Sequence, residues 1–505
     1  MVFPVLGANT ESAAYEIDNS LRTGGGDNHH LSMVYSSAAS DANRRTFTFS
    51  GWIKLGQAAH FTEYYPNEKY LLTSTDRAQS TTNVGYGGYT SGNAGSFHFQ
   101  DGRSGTYIET TTKFRDPNAW YHVVVKYDST QSTASDRIFI YVNGVSQPLN
   151  YSNSGDPEVD LNTTVDFFLA GDNIDATSAD NGNFVHNVNG YYNSSSATTA
   201  NHAFDGHFAD MYLLDGQALA PTAFAKTNSN GVWVPKKYTG TFNSHSFHLE
   251  FKQTGSSANS SGMGADTSGQ DNHFKVGVNS TLAAVDITTD TPTNNFARLN
   301  PLSEISTGVD FSEGNTRASI GAGSTERCVG NMGFTSGKWY YEVKYISTSA
   351  SASYLEVGFV NTNISMRYHV RGSDGERWDN GSPSSSTSYR HDPGDIIGVY
   401  IDADNKKWYI QVNGSNEDVG NGTADVSAGT GFVHQNFAVT DFILPYFANA
   451  SGSGGHVFEV NFGNAPFSIS SSNADANGYG SFEYNPTNDG VDFYALCTKN
   501  LAEYG

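Results

Sequence analysis

The chain has 505 residues, and its 51 acidic against 28 basic residues give a formal net charge of −23. So acidic a surface repels phosphate backbones and anionic lipid, which argues against nucleic-acid binding and against docking on membranes. Aromatic residues make up 13% of the chain, and glycine is frequent at 53 residues. This composition favours an all-β protein with many turns over a disordered chain, and the length suits two or three domains of roughly 100–200 residues.

The N-terminus lacks the basic start and the apolar core of a signal peptide, and no run reaches the roughly 20 apolar residues of a membrane span. We therefore expect a protein made without classical secretion and without membrane insertion. Residues 1–22 are predicted to be either an attachment segment or the first strand of a sandwich. Cys328 and Cys497 are the only cysteines, which excludes a disulfide framework, and their positions leave open whether the two pair.

Alternating apolar residues predict a series of strands in the first half of the chain. The first three are Arg45–Leu55, Tyr70–Ser74 and Ser96–Gln100. The glycine-rich stretch 79–95 between the second and the third is expected to be an exposed loop that carries Tyr86 and Tyr89. A further strand is predicted at Val165–Ala170, before a long polar insertion at Asp172–Ala203.

Residues 120–145, WYHVVVKYDSTQSTASDRIFIYVNGV, are typical of a β-meander, because two β-rich runs flank a polar connection. The second run ends in Asn143-Gly144, a pair that readily adopts the positive φ of a tight hairpin turn. Residues 396–414, IIGVYIDADNKKWYIQVNG, repeat the pattern and end in Asn413-Gly414. Two such hairpins, one in each half, predict two sandwich domains of related architecture in tandem.

Four blocks of the first half follow one another within about residues 20–225: FTFSGWIK, WYHVVVKYD, RIFIYVNGV and FDGHFADMYLLDGQALAP. In this order they resemble the laminin-G/concanavalin A-like jelly roll, in which a W-x-H-V strand precedes a strand ending in V-N-G. The resemblance implies a β-sandwich domain, which we place at residues 23–240. A polar, turn-rich stretch at 241–300 is interpreted as an inter-domain segment that wraps the domains.

The second half contains the blocks KWYYEVKY, YLEVGFV, GDIIGVYI and KWYIQVNG. They resemble the SPRY family, with its G-x-W-Y-x-E-V, V-G-F and G-D-x-I-G-V strands and its hairpin ending in N-G. The match covers about residues 310–465, and we place the domain at 301–505. Together the two resemblances imply an all-β fold of two tandem concanavalin A-like/jelly-roll β-sandwich domains, laminin-G-like and then SPRY-like.

The jelly-roll sandwich is shared by lectins and glycan hydrolases, so the fold does not decide between binding and catalysis. A retaining hydrolase of this fold carries an E-x-D-x-x-E or E-x-D-x-E strand whose carboxylates lie about 5 Å apart. Glu16-Ile-Asp18 begins such a motif, but Ser20 and Leu21 stand where the second glutamate belongs. Glu158-Val-Asp160 is incomplete in the same way. We therefore expect no enzymatic activity.

The polar insertion offers hard oxygen ligands of the kind that a calcium ion accepts. The candidate metal ligands are Asp172, Asp175 and Asp180. Their spacing does not match an EF-hand, and aspartate, asparagine and glycine also build ordinary long turns. Calcium is the one cofactor that the sequence leaves open.

Glycan binding needs an exposed aromatic ring next to polar groups. In the first half this condition is met by tyrosines in polar stretches: Tyr86, Tyr89, Tyr191 and Tyr192. In the second half the expected ligand surface is the region 361–393, because loops on a rigid sandwich commonly carry binding sites. Its candidate ligand-binding residues are Arg367, Tyr368, Arg371 and Trp378. The alternative, which we favour, is that Trp378 and Tyr389 are core residues of strands.

The phrases LDGQALAP, VWVPKKYTGT, DTPTNNFARLNPL and ALCTKNLAEYG connect the two halves. The whole is similar to structural and fibre proteins of marine bacteriophages. This resemblance implies a non-enzymatic virion surface protein, a tail or head fibre or a capsid decoration, that attaches to host-surface glycans or proteins. Its other partners would be virion structural proteins, and a homo-oligomer, by analogy with fibres a trimer, is expected. The alternatives are a free carbohydrate-binding, lectin-like protein and a glycan hydrolase without a recognisable motif.

Overall fold

The computed structural model describes residues 15–505 except 25–27, 57–67, 77–80, 89–93, 103, 152–158, 172–183, 193–199, 304–307, 324–325, 363–365, 380–381, 384–386, 440, 451–453 and the side chains of residues 191, 192, 200 and 201. The protein divides into two compact units, which we call the first unit (Glu11–Thr293) and the second unit (Asn294–Gly505). In the described part of both units strands far outweigh helices, at 43% of residues against 5%, which confirms the predicted all-β fold class.

The first unit contains twenty strands in its described part. The first ten are β1 (Ser20–Thr23), β2 (Leu31–Met33), β3 (Thr46–Leu55), β4 (Lys69–Thr75), β5 (Thr81–Tyr86), β6 (Phe97–Asp101), β7 (Thr106–Thr110), β8 (Trp120–Asp128), β9 (Ile138–Val142) and β10 (Val145–Ser146). The others are β11 (Leu149–Tyr151), β12 (Val185–Val188), β13 (Tyr191–Tyr192), β14 (Ala200–Asn201), β15 (Gly206–Asp215), β16 (Ala225–Thr227), β17 (Trp233–Pro235), β18 (Phe247–Leu249), β19 (Lys275–Val276) and β20 (Ile287–Thr288). Its helical turns are α1 (Asp41–Arg44) and the 3₁₀ turns Ala134–Asp136, Pro221–Ala223 and Ala284–Asp286.

Two eight-stranded antiparallel sheets form the sandwich of the first unit. One has the order β10-β9-β8-β3-β15-β1-β20, with β18 also paired to β15, and the other has the order β11-β7-β6-β5-β4-β12-β2-β19. Side chains alternate across each strand, so Phe47 and Phe49 of β3 and Val123 and Val125 of β8 point into one core. Phe99 of the facing sheet packs against Phe47 there, with ring centroids 5.8 Å apart.

The boundaries of the first unit differ from the expected ones. The segment 241–300 was expected to lie between the domains, but residues 241–293 complete the first sandwich, because β18, β19 and β20 pair with β15, β2 and β1. The segment 1–22 was expected to be an attachment segment or a first strand. Its described end, Ser20–Arg22, belongs to β1, which pairs with β15 in the sheet.

The second unit contains fifteen strands and one helix in its described part. The strands are β21 (Val309–Ser312), β22 (Arg317–Ile320), β23 (Arg327–Val329), β24 (Lys338–Thr348), β25 (Leu355–Asn361), β26 (Arg367–Arg371), β27 (Arg377–Asp379), β28 (Ser382–Pro383), β29 (Ile396–Asp402), β30 (Lys407–Val412), β31 (Ser415–Asn416), β32 (His434–Gln435), β33 (Ile443–Asn449), β34 (His456–Asn461) and β35 (Tyr494–Ala495). The helix is α2 (Thr498–Tyr504).

The strands of the second unit again form two sheets over one core. A nine-stranded sheet has the order β21-β22-β34-β24-β29-β30-β31, with β32 added to β30 and β35 added to β24. A six-stranded sheet has the order β23-β33-β25-β26-β27-β28. Trp339 and Trp408 of the first sheet and Phe359 and Phe447 of the second meet in the core.

The outer face of the nine-stranded sheet is covered by the C-terminal part of the chain. Phe482 packs on Tyr340 and Phe493 on Tyr400, with ring centroids 5.0 and 5.1 Å apart. Glu342 is buried beneath them and accepts hydrogen bonds from the Tyr340 hydroxyl and from two backbone N–H groups. This carboxylate is therefore part of the packing and is not available to a ligand.

The two predicted Asn-Gly hairpin turns are confirmed. Asn143 and Gly144 have φ of 49° and 78°, and Asn413 and Gly414 have φ of 51° and 79°. Each asparagine side chain also accepts a hydrogen bond from a backbone N–H of the strand beside the hairpin. The donors are His122 of β8 at 2.8 Å and Ile396 of β29 at 3.0 Å. The same short sequence thus builds the same turn in both units.

The two cysteines do not pair. Cys328 lies in the core of the second unit, Cys497 precedes α2, and both thiols are free and buried. Burial raises the pKa of both thiols. They therefore behave as small apolar core residues.

Candidate functional site

The outer face of the six-stranded sheet carries a row of polar and aromatic side chains. Val357 and Phe359 of β25 point into the core, so Glu356 and Gly358 face outward. Tyr368 of β26 likewise points inward, as Val370 does, so the outward positions of this strand are Arg367, His369 and Arg371. The alternation of two short strands thus places an acid, an imidazole and two guanidinium groups on one face.

The strand register brings side chains from different strands together at Gly358. This glycine pairs with His369 on one side and with Tyr446 of β33 on the other, and His369 in turn pairs with Trp378 of β27. A Cβ atom on Gly358 would lie 2.1 Å from the carbonyl oxygen of Tyr368, which leaves no room for one. Because Gly358 has no side chain, the rings of His369 and Tyr446 approach across it, with centroids 5.5 Å apart.

These residues line a pocket of about 220 Å³, which we call the sheet pocket. Its wall also includes Glu326 and Arg327 at the edge of the sheet, and Asn449 at the end of β33. A volume below the roughly 300–1,000 Å³ of ordinary small-molecule sites suits a small group rather than an extended chain.

Glu356 and His369 form a buried acid–imidazole pair at the base of the sheet pocket. Glu356 Oε2 lies 3.3 Å from His369 Nδ1, and the two residues are 7% and 1% exposed. Burial raises the pKa of Glu356 to about 7, against the opposite effect of Arg371 and Arg367. Burial, together with the nearby arginines, lowers the pKa of His369 well below its usual range. At neutral pH the imidazole is therefore uncharged, and the carboxyl group is close to half protonated.

The two arginines of β26 differ in their partners. Arg371 donates to Asp374 Oδ2 at 2.6 Å and lies 2.8 Å from Glu376 Oε2, so its charge is compensated. Arg367 lies over the ring of Trp378, with its guanidinium carbon 5.5 Å from the ring centroid. Within the described residues, Arg367 has no carboxylate oxygen within 4 Å. Its positive charge therefore forms no direct ion pair, although it acts on the nearby carboxyl group of Glu356.

Several buried polar atoms of the sheet pocket have no hydrogen-bond partner in the described structure. They are Nε2 of His369, Nε of Arg327 and Oε2 of Glu326. Nδ1 of His369 forms no aligned hydrogen bond either, and its one close polar contact is the 3.3 Å approach to Glu356 Oε2. A buried polar atom without a partner costs about 1–3 kcal/mol, and native proteins contain few of them. These atoms can therefore take up polar groups of a ligand that enters the pocket.

The structure brings together three of the four candidate residues predicted in the second half. Arg367, Arg371 and Trp378 all line the sheet pocket. Tyr368 does not: its ring is buried in the core and stacks on Phe359 at 5.2 Å, because it alternates with the two outward arginine positions. The alternative that Trp378 and Tyr389 are core residues of strands holds only in part. Tyr389 is buried in the core but lies outside the strands, and Trp378 belongs to β27 but is half-buried on the outer face.

Among the tyrosines predicted in the first half, Tyr86 is corrected by the structure. It was expected in an exposed loop, but it ends β5, is fully buried and donates to the carbonyl oxygen of Phe114 at 2.6 Å. Tyr89 lies outside the described residues. Tyr191 and Tyr192 form β13, and the described structure does not extend to their side chains.

The candidate calcium ligands Asp172, Asp175 and Asp180 also lie outside the described residues. Their role therefore stays a prediction from the sequence.

One serine–histidine contact in the first unit resembles the start of a hydrolase site. Ser50 Oγ lies 2.9 Å from His122 Nε2, and Trp233 Nε1 donates to His122 Nδ1 at 3.1 Å. An indole N–H can only donate, so Nδ1 is the acceptor and the neutral ring carries its proton on Nε2. In this tautomer His122 donates to Ser50 and cannot act as its base. The histidine of the WYHV block is thus a packing residue between two tryptophans.

A second pocket of about 370 Å³ lies in the first unit, beside Tyr35 and His245. His245 Nε2 lies 2.8 Å from the carbonyl oxygen of Ser37, and Nδ1 lies 3.5 Å from Asp215 Oδ2. Both nitrogens thus have protein partners, whereas Nε2 of His369 has none among the described residues. The sheet pocket is therefore the better candidate site.

Comparison with known proteins agrees with the fold of the first unit. Residues 25–198 match a laminin G family model described as the concanavalin A-like lectin/glucanases superfamily. The chain therefore contains a concanavalin A-like domain, a class that fits a binding role.

Among solved structures, the chain is similar to two SPRY domains. One is the crystal structure of the SPRY domain of human HERC1, at 14% identity over 32% of this chain and 96% of that chain, with a TM-score of 0.25. The other is the TRIM65 PSpry domain, at 12% identity over 33% of this chain and 89% of that chain, with a TM-score of 0.23. At these TM-scores the likeness carries no argument about the site.

A comparison with curated proteins finds no match. Among the helices of the described residues, none has the length and apolar character needed to span a membrane.

Proposed function

We propose that the protein is a non-enzymatic surface component of a bacteriophage particle that binds a host-surface ligand through the sheet pocket. The observation that carries the binding role is the guanidinium of Arg367, which lies over Trp378 without a direct ion pair, beside the buried His369, whose Nε2 has no hydrogen-bond partner among the described residues. A fixed arginine without an ion-pair partner can bind a charged or polar group, because ordering costs it little on binding.

Two observations support the absence of catalysis. Neither glutamate motif of the first half is complete, and His122 carries its proton on the nitrogen that faces Ser50. In the sheet pocket, Glu356 has the pKa of a general acid, but the described structure pairs it with a neutral imidazole and not with a second carboxylate. This arrangement favours binding over glycan hydrolysis.

The particle role rests on the sequence. The succession of laminin-G-like and SPRY-like blocks, with their connecting phrases, is similar to structural and fibre proteins of marine bacteriophages. In this role one face of the protein contacts other virion structural proteins and further copies of the same chain, with a trimer as the expected assembly. The sheet pocket then faces outward to a host-surface glycan or protein.

Immunogold labelling of purified particles with antibody against this chain tests the particle role. Gold confined to the tail would support a fibre, and gold over the head would support a capsid decoration. Soluble protein without labelled particles would overturn the particle role. Competition of particle adsorption by the purified chain tests the binding role separately, with Arg367→Gln as the variant that should no longer compete.

The second candidate function is a free lectin, which the match to the lectin/glucanase superfamily favours. A free lectin binds sugar as a monomer, and antibody against it leaves the purified particles unlabelled. Sedimentation of the purified chain together with the labelling experiment distinguishes the two functions.

A further inference from the structure

Resting on the binding role proposed above, we propose that the sheet pocket selects a single sugar unit that carries a carboxylate, bound by Arg367, with its hydroxyl groups hydrogen-bonded to His369 and the pocket wall.

The charges of the sheet pocket favour a ligand that carries a carboxylate. Arg371 is neutralised by Asp374 and Glu376, whereas Arg367 has no acidic partner in the described part of the chain. Arg327, on the opposite wall, has a buried Nε without a partner and forms no ion pair with described residues. The pocket wall also carries Glu326 and Glu356, but burial keeps Glu356 partly protonated near neutral pH. Two guanidinium groups without a direct ion pair on the wall of one small pocket favour an anion, and a planar carboxylate matches the guanidinium fork.

The buried polar atoms of the sheet pocket that lack a hydrogen-bond partner favour a ligand with hydroxyl groups. A neutral imidazole has one donor and one acceptor nitrogen. Nε2 of His369 has no hydrogen-bond partner among the described residues, and Nδ1 has only the 3.3 Å contact with Glu356 Oε2. A sugar hydroxyl both donates and accepts, so it can satisfy either tautomer. Oε2 of Glu326 needs a donor and Nε of Arg327 needs an acceptor, which neighbouring hydroxyls of the same ring can supply. A carboxylate without hydroxyl groups would leave these atoms unsatisfied.

The size of the sheet pocket limits the ligand to one unit. At about 220 Å³, it is too small for an extended oligosaccharide to be enclosed. A terminal acidic sugar of a longer chain can enter while the rest of the chain stays outside. The inferred ligand class is thus a terminal carboxylated sugar.

Binding should depend on pH through Glu356. The groups that act on it or line the pocket with it are His369, Arg367 and Arg371 of β26, Asp374 and Glu376 of the following turn, Tyr446 of β33, and Glu326 and Arg327 at the sheet edge. As the pH falls from 8 to 6, Glu356 takes up a proton and its negative charge disappears from the pocket. A ligand carboxylate stays ionised over this range, so repulsion decreases and affinity rises.

Titration calorimetry of the full chain tests the inference with methyl glucuronide and the uncharged methyl glucoside as probes. We expect binding of the glucuronide at pH 6, at least tenfold tighter than that of the glucoside, and weaker binding at pH 8 and in high salt. Arg367→Gln should weaken glucuronide binding by roughly tenfold or more. Arg367→Lys keeps the charge but loses the guanidinium fork, so its affinity for the glucuronide should lie between those of the wild type and Arg367→Gln.

Two controls separate binding from folding. Arg390→Gln removes an exposed arginine outside the sheet pocket and should bind like the wild type. Glu356→Gln, which cannot ionise, should bind the glucuronide equally at pH 6 and pH 8. Thermal unfolding of each variant confirms that it is folded at the temperature of the titration.

Equal affinity for the two glycosides, or an Arg367→Gln variant that binds as the wild type does, would overturn the inference. Equal binding of N-acetylglutamate, which has carboxylates but no sugar hydroxyls, would overturn the sugar part. If neither glycoside binds while Arg367→Gln still abolishes competition for particle adsorption, the ligand class is wrong and the proposed function stands.

Discussion

Glu356 Oε2 and His369 Nδ1 lie 3.3 Å apart on neighbouring strands, at the base of the sheet pocket. Burial raises the pKa of the acid to about 7 and lowers that of the imidazole, so it favours the uncharged form of both groups. Slightly below neutrality the pair is uncharged, and above it the carboxylate is ionised in a buried site. The charge of the sheet pocket therefore changes within the physiological pH range.

Glu356→Gln should stabilise the protein at pH 8. The folded state holds the Glu356 proton more tightly than the unfolded state, with a pKa of about 7 against 4.5. The free energy of unfolding therefore falls as the pH rises from about 4.5 to 7 and stays low above pH 7. Glutamine removes this loss, so we expect a gain of up to about 3 kcal/mol at pH 8 and little change at pH 5. Urea unfolding at the two pH values measures the difference.

Glu503→Gln is the matched control, because this residue is exposed on α2. It should change the free energy of unfolding by less than about 0.5 kcal/mol at either pH. A Glu356→Gln variant less stable than the wild type at pH 8 would show that the carboxylate is stabilised by its arginine neighbours more than burial opposes it.

Part of the candidate site could be predicted from the sequence. Arg367, Arg371 and Trp378 were found because they lie between two recognisable strand blocks. His369 and Glu356 were missed, although a signal was present: each is a polar residue at an outward position of a short alternating strand, RYHVR and LEVGFV.

Other parts of the candidate site depend on strand register, which one sequence does not specify. Tyr446 and Arg327 lie about ninety and thirty residues from Glu356 along the chain, and strand pairing alone brings them to the same pocket. Tyr86 shows the converse error. Its glycine-rich surroundings predicted a loop, but a distant carbonyl group, that of Phe114, satisfies its hydroxyl in the core.

Gly358→Ala should destabilise the second unit. The added Cβ would lie 2.1 Å from the Tyr368 carbonyl oxygen and 2.9 Å from His369 Cβ, so two strands of the sheet must move apart. Overpacking of this kind costs about 1–3 kcal/mol or more, and we expect a melting temperature lower by several degrees. Differential scanning calorimetry measures the change.

Gly490→Ala provides the contrasting control for this prediction. Gly490 has a φ of 76° but no atom within 4 Å of an added Cβ, so alanine meets backbone strain without a clash. We expect a loss of about 1 kcal/mol. If Gly358→Ala loses no more stability than Gly490→Ala, the sheet relaxes around the added Cβ at little cost, and the close packing there does not shape the pocket.

Acid should destabilise the protein through its buried histidines. Burial lowers the pKa of His122 to about 3, and those of His186, His391 and His456 to about 4. Below pH 6.5 the unfolded chain binds protons at these residues that the folded chain does not bind, so stability is lost as the pH falls. At pH 5 each such histidine lowers the free energy of unfolding by about 2 kcal/mol.

The slope of stability against pH tests this prediction. His122→Gln keeps a polar group between Ser50 and Trp233 but removes the titrating ring. The number of protons taken up on unfolding, which sets the slope of the free energy of unfolding against pH, should therefore fall by about one between pH 6 and pH 4. An unchanged slope would mean that His122 is protonated in the folded protein, which contradicts the donation from Trp233 to its Nδ1.

The last prediction concerns the turn that both units share. At Asn143 the backbone φ is 49°, and the side chain accepts a hydrogen bond from the His122 N–H. Asparagine suits this position in two ways, because it tolerates the positive φ and its side chain makes this hydrogen bond. Asn143→Gly keeps the conformation and removes only the hydrogen bond, which should cost about 1 kcal/mol. Asn143→Ala removes the bond and adds strain, for a loss of about 2 kcal/mol. The same pair of changes at Asn413 should give the same order in urea unfolding, because the geometry is repeated there. Equal losses for glycine and alanine at both turns would show that the hydrogen bond alone stabilises the hairpins and that the positive φ adds nothing.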